Sequence, residues 1–223
     1  PFPALTWISW LWPGDCLRAD AAFGVADYLR QAPGTDLLYT DENVCGPDGT
    51  FHTPYFKPGW SPDSLLSRPY LGDLLCVKAA TLAGLPEAFQ PWTAQPRYAL
   101  LLALSEQALK VLRLPEILYH RRRSLNLNPP GGEALIQAAL ARRNLKGKVV
   151  AQPGGGYHLN LRPVSSPLPL ISLIIPTRDQ PALLQTCLSS IFEKSSYPNF
   201  EVVLVDNRGE KEETQQLFAD WQG

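Results

Sequence analysis

The sequence predicts a protein of the α/β class, in which buried strands alternate with helices. Two continuous apolar runs, Leu170–Ile175 and Phe200–Val205, are separated by a segment with leucines at helical spacing. This order is typical of parallel strands joined by a crossover helix. Apolar residues make up 45% of the 223 residues and charged residues 18%, which favours a folded core over disorder. The 22 prolines predict many loops and argue against a helical bundle.

Composition narrows the classes of function. The chain has no Met and begins at Pro1, so we expect a processed chain or an excised fragment. The net charge is −1, which gives no overall field for nucleic acid or membrane. No apolar run reaches the ~18 residues that a membrane span needs, so no transmembrane segment is predicted. The four cysteines form no C-x-x-C pair and are interpreted as structural thiols of a reducing compartment.

The first region, residues 1–124, alternates short apolar runs with helical patterns. Its predicted strands are Leu5–Leu11, Asp36–Thr40, Tyr70–Val77 and Ile117–His120. Its predicted helices are Asp20–Gln31, a short one capped by Ser61 with Pro62 at its first position, and the strongly apolar Tyr98–Leu109.

Two further regions follow. Residues 125–168 are predicted to form a connector, with a helix over Glu133–Asn144, a hairpin of Lys148–Gln152 and Tyr157–Leu161, and a Pro/Ser linker after it. Residues 169–223 are predicted to form a strand–helix–strand–helix unit that ends with the helix Lys211–Trp221.

Polar residues follow both strands of the last region. Thr177 and Asp179 come after the first strand, and Asp206 and Asn207 close the second. Ligands of open α/β sheets bind at the carboxyl ends of the strands, where such carboxylates can accept hydrogen bonds from a ribose or a base. Asp also caps helices well, so at this point a ligand site and a pair of helix caps are both open.

The last region resembles a known family in the order and spacing of three stretches. These are Leu170–Asp179 (LISLIIPTRD), Cys187–Ile191 (CLSSI) and Tyr197–Asn207 (YPNFEVVLVDN). Together they resemble the opening of a glycosyltransferase family 2 domain. That family has the GT-A fold, a Rossmann-like, mostly parallel sheet flanked by helices, and transfers sugars from nucleotide-diphosphate donors. The resemblance implies that the strand-end residues named above lie against the nucleotide.

The first region resembles the second half of such a domain. The similar stretches are Asp36–Asn43 (DLLYTDEN), Phe56–Leu66 (FKPGWSPDSLL), Tyr70–Gly72 and Pro115–Arg121 (PEILYHR). The resemblance implies two partial domains joined by a helix and a hairpin.

The second of these stretches supplies the acceptor-side candidates, which are Lys57, Trp60 and Asp63. Trp60 could stack on a sugar ring or simply pack in the core, so both interpretations remain open.

The chain departs from the family pattern at two catalytic positions. The family holds Mg²⁺ or Mn²⁺ with an Asp-x-Asp-Asp motif, because hard cations prefer carboxylates. The matching stretch, Leu11–Asp15, keeps only its last Asp, so Asp15 and His120 are the remaining metal candidates.

The position of the family's general base is Ala99, which cannot accept a proton. Asp41 and Glu106 are candidate substitutes, with a turn cap and a helix surface as their alternative roles.

The resemblance therefore implies an inverting glycosyltransferase of surface-polysaccharide synthesis, weakened in its first half. The expected partners are a UDP- or dTDP-type sugar donor and a glycan or lipid-linked acceptor. The expected location is the cytoplasm or the periphery of the inner membrane. Two alternatives stay open: a non-catalytic nucleotide- or carbohydrate-binding module, and a chain whose residues 169–223 dock on residues 1–124.

Overall fold

The computed structural model describes residues 7–162 and 167–221. The chain divides into two compact units, Pro1–Arg162 and Pro163–Gly223. Both combine strands with helices, so the predicted α/β class is confirmed. The predicted linker lies in part outside the described residues, as does the start of the first predicted strand.

The first unit contains six paired strands, a two-stranded hairpin and five α-helices within its described residues. In chain order these are β1 (Trp7–Ser9), β2 (Cys16–Leu17), α1 (Ala21–Gln31), β3 (Leu37–Cys45), β4 (Phe51–Tyr55), α2 (Pro62–Ser67), β5 (Leu75–Lys78), α3 (Ala79–Ala83), α4 (Arg97–Leu104), β6 (Val111–Arg121), α5 (Gly132–Arg142), β7 (Gly147–Ala151) and β8 (Tyr157–Leu161). Short 3-10 turns at Glu87–Phe89 and Trp92–Ala94 lead into α4.

The sheet of the first unit has the order β1-β5-β3-β6-β2, with β4 paired to β3. The long pair β3/β6 is parallel, and the connection between these strands contains α2, α3 and α4. The other described pairs of this sheet are antiparallel, which differs from the predicted mostly parallel arrangement.

Strand β6 is longer than predicted and contains a bulge. It begins at Val111, whereas the apolar pattern indicated a strand only over Ile117–His120. The register with β3 shifts where Leu114 gives way to Ile117, so Pro115 and Glu116 stand outside the ladder. Proline cannot donate to a ladder and is tolerated at a bulge, which explains why the strand continues past it.

Helix α4 forms the centre of the core. All its residues from Tyr98 to Leu104 are buried, as expected for a helix that is apolar on every side. It ends at Leu104, five residues before the predicted end. The connector packs here: α5 buries Ile136 and Leu140 in the same cluster, and the ring of Tyr157 stacks on that of Tyr98 at a centroid distance of 6.3 Å.

The second unit is the predicted strand–helix–strand–helix arrangement. Its elements are β9 (Ile171–Thr177), α6 (Pro181–Lys194), β10 (Phe200–Asp206) and α7 (Glu212–Asp220). The two strands are parallel and pair without a register shift. Helix α6 buries Leu184 and Leu188, and the Phe192 ring stacks on Trp221 after α7. Within residues 7–162 and 167–221, none of the helices has the length and apolar character that crossing a membrane requires.

Candidate functional site

The carboxyl ends of β9 and β10 bring the predicted polar residues of the second unit together. Thr177 and Asp206 are direct partners in the strand register. The backbone N–H of Asn207 donates to the carbonyl oxygen of Thr177 over 2.9 Å. These residues therefore share one edge of the strand pair, where α/β proteins bind ligands.

Asp179 is held by the turn that precedes α7. Its backbone is left-handed, with φ at 47°. Its Oδ1 accepts hydrogen bonds from the N–H groups of Lys211, over 2.8 Å, and Glu210, over 2.9 Å. These donors stabilise the carboxylate and hold the pKa of Asp179 below its usual value. Asp179 thus stabilises the turn that precedes α7. It does not cap α6, the helix that follows it in the chain.

Asp206 is fixed by the same turn. Its Oδ1 accepts from the N–H of Gly209 over 2.9 Å, and its Oδ2 lies 3.4 Å from the side-chain amide of Gln215. A methyl group on Gly209 would meet Oδ1 of Asp206 at 2.9 Å and Oδ1 of Asp179 at 3.0 Å. The carboxylates of Asp179 and Asp206 therefore both lie against Gly209. Asp206 is exposed to solvent and can accept further hydrogen bonds.

The first unit contains a buried ion network around Glu42 of β3. Its carboxylate lies 2.9 Å from Nζ of Lys57 and 3.0 Å from Nε of Arg121, and it accepts from the N–H of Asp73 over 2.7 Å. Burial lowers the pKa of Lys57, against the opposing effect of Glu42. The ammonium of Lys57 is thus paired inside the unit, so it is not available to a sugar at the surface.

The other acceptor-side candidates lie nearer the surface. Trp60 is half-buried and packs against the main core cluster, in line with the packing interpretation. Asp63 is exposed at the start of α2, and its carboxylate lies 3.5 Å from Nη1 of Arg143. The hydroxyl of Ser61 caps α2 by accepting from the N–H of Ser64, as its sequence position predicted.

The substitutes considered for the missing base are engaged in ion pairs. Asp41 is buried, accepts from the N–H of Lys57 over 2.9 Å and pairs with Arg113 over 2.7 Å. Glu106 accepts two hydrogen bonds of 2.8 Å from Arg142. Ala99 is buried within α4. Neither Asp41 nor Glu106 therefore presents a free carboxylate, and the side chain of Ala99 has none.

The metal candidates are likewise occupied by protein contacts. Asp15 accepts from the hydroxyl of Tyr119 over 2.7 Å and from the N–H of Arg122 over 2.8 Å. Nδ1 of His120 lies 2.6 Å from Oδ1 of Asn43. Across residues 7–162 and 167–221, no cluster of three or more His, Cys, Asp or Glu could hold a metal ion. In the first unit, both metal candidates are therefore engaged by protein groups.

Two arginines that sequence reasoning did not single out individually meet at Asp73. Arg97 and Arg123 both contact Oδ1 of Asp73, at 3.0 and 2.7 Å. The guanidinium of Arg123 also lies 4.6 Å over the ring of Trp12, whose indole N–H donates to the same oxygen. Trp12 stands at the position where the resembled motif begins with Asp. This substitution was the sequence feature that indicated a changed set of residues around Asp15.

Fold and site together define an α/β protein whose second unit carries a cluster of polar residues at the carboxyl ends of two parallel strands. Residues 172–223 match the model of the family described as glycosyl transferase family 2. This segment, which carries Asp179 and Asp206, is similar to glycosyltransferase family 2. The resemblance of these residues to that family is thus confirmed.

Two relatives extend the similarity to nearly the whole chain. The chain is 33% identical over 230 residues to the O-antigen biosynthesis protein RfbC of Myxococcus xanthus, covering 96% of this chain and 17% of that protein. It is 27% identical over 226 residues to the uncharacterized protein y4gI of Sinorhizobium fredii, covering 94% of this chain and 24% of that protein. The chain thus spans less than a quarter of the length of either relative.

Proposed function

We propose that the chain is part of an inverting glycosyltransferase that moves a sugar from a nucleoside-diphosphate donor to a growing surface polysaccharide. The donor would be of the UDP or dTDP type, and the acceptor a glycan or a lipid-linked glycan. The family match of residues 172–223 supports the class of reaction. The name of the Myxococcus relative, an O-antigen biosynthesis protein, supports the class of product.

The observation that carries the proposal is the fixed pair of carboxylates at the edge of β9 and β10. Backbone N–H groups hold one oxygen of Asp179 and one of Asp206. A carboxylate held in this way is oriented before a ligand arrives, which lowers the entropic cost of binding. We assign to these residues, with Thr177 and Asn207, the recognition of the base and ribose of the donor.

The proposed reaction is a single displacement at the anomeric carbon of the donor sugar. The acceptor oxygen forms the new bond, the bond to the diphosphate oxygen breaks, and a base takes the acceptor proton. Ala99 cannot serve as that base in the first unit, and Asp41 and Glu106 are tied in ion pairs. We therefore propose that the first unit does not catalyse the reaction by itself.

A first unit that does not catalyse the reaction by itself fits a chain made of two partial domains. Residues 1–124 would be the second half of one family 2 domain, residues 125–168 a connector, and residues 169–223 the nucleotide-binding half of another. A lipid-linked acceptor would place the reaction on the cytoplasmic side of the inner membrane, with the protein at its periphery.

A second candidate function is a binding module without catalysis. The observation that favours it is specific to the first unit: Asp15 is fully engaged by Tyr119 and Arg122, and the base position is Ala99. In that case the chain would bind nucleotide or glycan and position it for another unit.

The test is nucleotide binding by the chain, measured by calorimetry with UDP, dTDP and UDP-sugars. We expect Asp206→Ala and Asp179→Ala each to weaken binding at least tenfold. Glu193→Ala is the matched control, because Glu193 is an exposed carboxylate near the end of α6, at the opposite end of that helix from the turn after β9. Equal affinities in wild type and Asp206→Ala would overturn the assignment. Sugar transfer then separates the two candidates, since a binding module would bind UDP-sugars without turnover.

A further inference from the structure

The end of α5 and the β7/β8 hairpin line a cavity of about 550 Å³ whose charged groups all have the same sign. Three of its lining residues are basic, and none is acidic. The three are Lys146, Lys148 and Arg162, and each is exposed to solvent. These three residues are called the hairpin cations below.

The hairpin cations have no carboxylate partner in the described residues of the first unit. None of the ion pairs found there includes one of them. By contrast, the arginines at the end of α5, Arg142 and Arg143, are both paired with carboxylates. Residues 121–162 contain eight basic side chains and one acidic one, Glu133, which accepts from the N–H of Ala151 at the far end of β7. The net charge of −1 for the whole chain therefore conceals a local excess of positive charge.

The pairing of the two strands places like charges opposite each other. The register of the hairpin joins Gly147 to Leu161. Lys146 and Arg162 are the next pair, and the N–H of Arg162 donates to the carbonyl oxygen of Lys146 over 2.7 Å. Lys148 lies two residues further along β7 and therefore on the same side of the hairpin. Like charges directly opposite each other on two strands are destabilising, so this arrangement costs stability unless an anion joins it.

The end of α5 does not require the hairpin cations. Cations are favourable near the end of a helix, where the last carbonyl groups lack intrahelical partners. Here the carbonyl groups of Ala139, Leu140 and Ala141 already accept backbone N–H groups of residues 143–145, over 2.8 to 3.1 Å. Arg142 supplies a cation to the last turn. The side chains of the hairpin cations therefore remain available to a ligand.

The side of the hairpin that carries these cations is a flat, fully exposed surface, here called the outer face. Alternation along the two strands assigns six exposed residues to it, which are Lys146, Lys148, Val150, His158, Asn160 and Arg162. Cations beside an exposed aliphatic group, here Val150, fit the interfacial region of a membrane with anionic lipids. The outer face contains no Trp, Tyr or Phe on which the bases of a single-stranded nucleic acid could stack. Its composition therefore favours a lipid surface over a nucleic acid.

We propose that the outer face of the hairpin docks on a membrane surface that contains anionic phospholipids. The hairpin cations contact the phosphate groups of the lipids, and Val150 lies among the headgroups. This inference rests on the proposed function, which places the reaction beside a lipid-linked acceptor at the inner membrane. It adds the surface by which the chain reaches that membrane. Thr177, Asp179, Asp206 and Asn207 take no part in it.

The experiment is sedimentation of the whole chain with vesicles of phosphatidylcholine that contain increasing shares of phosphatidylglycerol. We expect binding that is absent on pure phosphatidylcholine and rises with the anionic share. It should weaken as the salt concentration rises, because exposed charges are screened. Each cation near an anionic surface strengthens binding about fivefold. Replacing all three hairpin cations by Gln, the hairpin variant, should therefore weaken binding at least tenfold.

The matched control replaces three exposed cations elsewhere in the chain, by Arg30→Gln, Lys110→Gln and Lys194→Gln. It removes the same total charge and should leave the affinity for vesicles within threefold of wild type. A thermal melt of the hairpin variant tests whether these cations serve the fold instead. Because the opposed charges of Lys146 and Arg162 are removed, the hairpin variant should melt at or above the temperature of wild type.

Four results would overturn the proposal: no vesicle binding by the folded chain, equal binding to neutral and anionic vesicles, equal weakening by the hairpin variant and the control, or a clearly lowered melting temperature of the hairpin variant. Titration with a single-stranded and a duplex oligonucleotide tests the other class of polyanion. Tighter binding of either oligonucleotide than of anionic vesicles, lost in the hairpin variant, would assign the outer face to nucleic acid and overturn the proposal as well.

Titration with UDP separates this inference from the proposed function. The hairpin variant should bind UDP as wild type does, because the residues assigned to the nucleotide lie in the second unit. A wild-type chain that binds UDP but not anionic vesicles would overturn the docking surface alone. A wild-type chain that binds anionic vesicles through the hairpin cations but binds no nucleotide would overturn the proposed function and leave the docking surface standing.

Discussion

Lys57 and Glu42 form an ion pair of 2.9 Å in which both side chains are fully buried. The pair joins the loop before α2 to the central strand β3, and Arg121 of β6 completes it on the opposite side. Because each charge has lost its water, the network contributes to stability only while its partners are all present.

Removing Lys57 should therefore destabilise the first unit strongly. We expect Lys57→Ala to lower the free energy of unfolding by about 3 kcal/mol, because Glu42 loses one of its two buried cationic partners and the buried stem of Lys57 leaves a cavity. Lys78→Ala is the control, because the Lys78–Asp36 pair is partly exposed and 3.4 Å long. That variant should change the free energy by no more than about 1 kcal/mol. Urea unfolding followed by tryptophan fluorescence measures both, and equal effects would contradict the prediction.

Gly72 is required by the same ion pair. Its φ is 66°, and a methyl group there would overlap the carboxylate of Glu42 and the ammonium of Lys57. Gly14 also has a positive φ, of 88°, but a methyl group on it would meet nothing within 4 Å. Gly14→Ala should therefore cost only the backbone strain, about 1–2 kcal/mol. Gly72→Ala should cost clearly more in the same denaturation experiment. If Gly72→Ala lowered the free energy of unfolding less than Gly14→Ala, the Lys57–Glu42 pair would have to move aside freely.

The stability of the second unit should depend on pH through Asp179. Its pKa is lowered in the folded chain by the N–H groups of Lys211 and Glu210. The unfolded chain therefore binds the proton more readily, so this stabilisation is present above the unfolded pKa of about 3.9 and is lost as the pH falls through the folded value.

Asp179→Asn should remove most of that acid sensitivity, which an acid titration followed by the fluorescence of Trp221 would show. Asp220→Asn is the control, because it removes an exposed carboxylate that does not contact the turn before α7. An unaltered acid profile in Asp179→Asn would count against the role of these hydrogen bonds.

Tyr157 tests how firmly the hairpin is attached to α4. Its ring is buried against Tyr98, and its hydroxyl donates to the carbonyl of Pro129 over 3.3 Å. Tyr157→Ala should lower the free energy of unfolding by about 3–5 kcal/mol, as large-to-small changes of buried aromatic rings do. Tyr157→Phe keeps the ring and should cost about 1 kcal/mol. A single cooperative transition lowered only by the Ala variant would support this attachment; two separate transitions would argue against it.

The second unit could be predicted almost completely because its information is local. The apolar runs, the helix between them and the polar turns stand next to one another in the sequence, and the structure changes their limits by only a residue or two. The start of β6 could not be found in this way, because Pro115 interrupts the pattern of a strand that continues past it as a bulge.

The ion network of the first unit could not be predicted from the sequence, for a different reason. Glu42, Lys57 and Arg121 are far apart in the sequence, and only the packing of β3 against β6 brings them together. Single charged residues give no sign that they will be buried. Arg97 and Arg123 were hidden in the same way, since a basic residue is usually a solvated one.

The packing of the connector also sets the place at which the chain divides. Helix α5 and the β7/β8 hairpin cover α4, so they belong to the first compact unit and not to a free tether. A fragment cut at residue 124 would leave the Tyr98 side of α4 bare and should aggregate. A fragment that ends at Arg162 would keep the connector on α4 and its core covered.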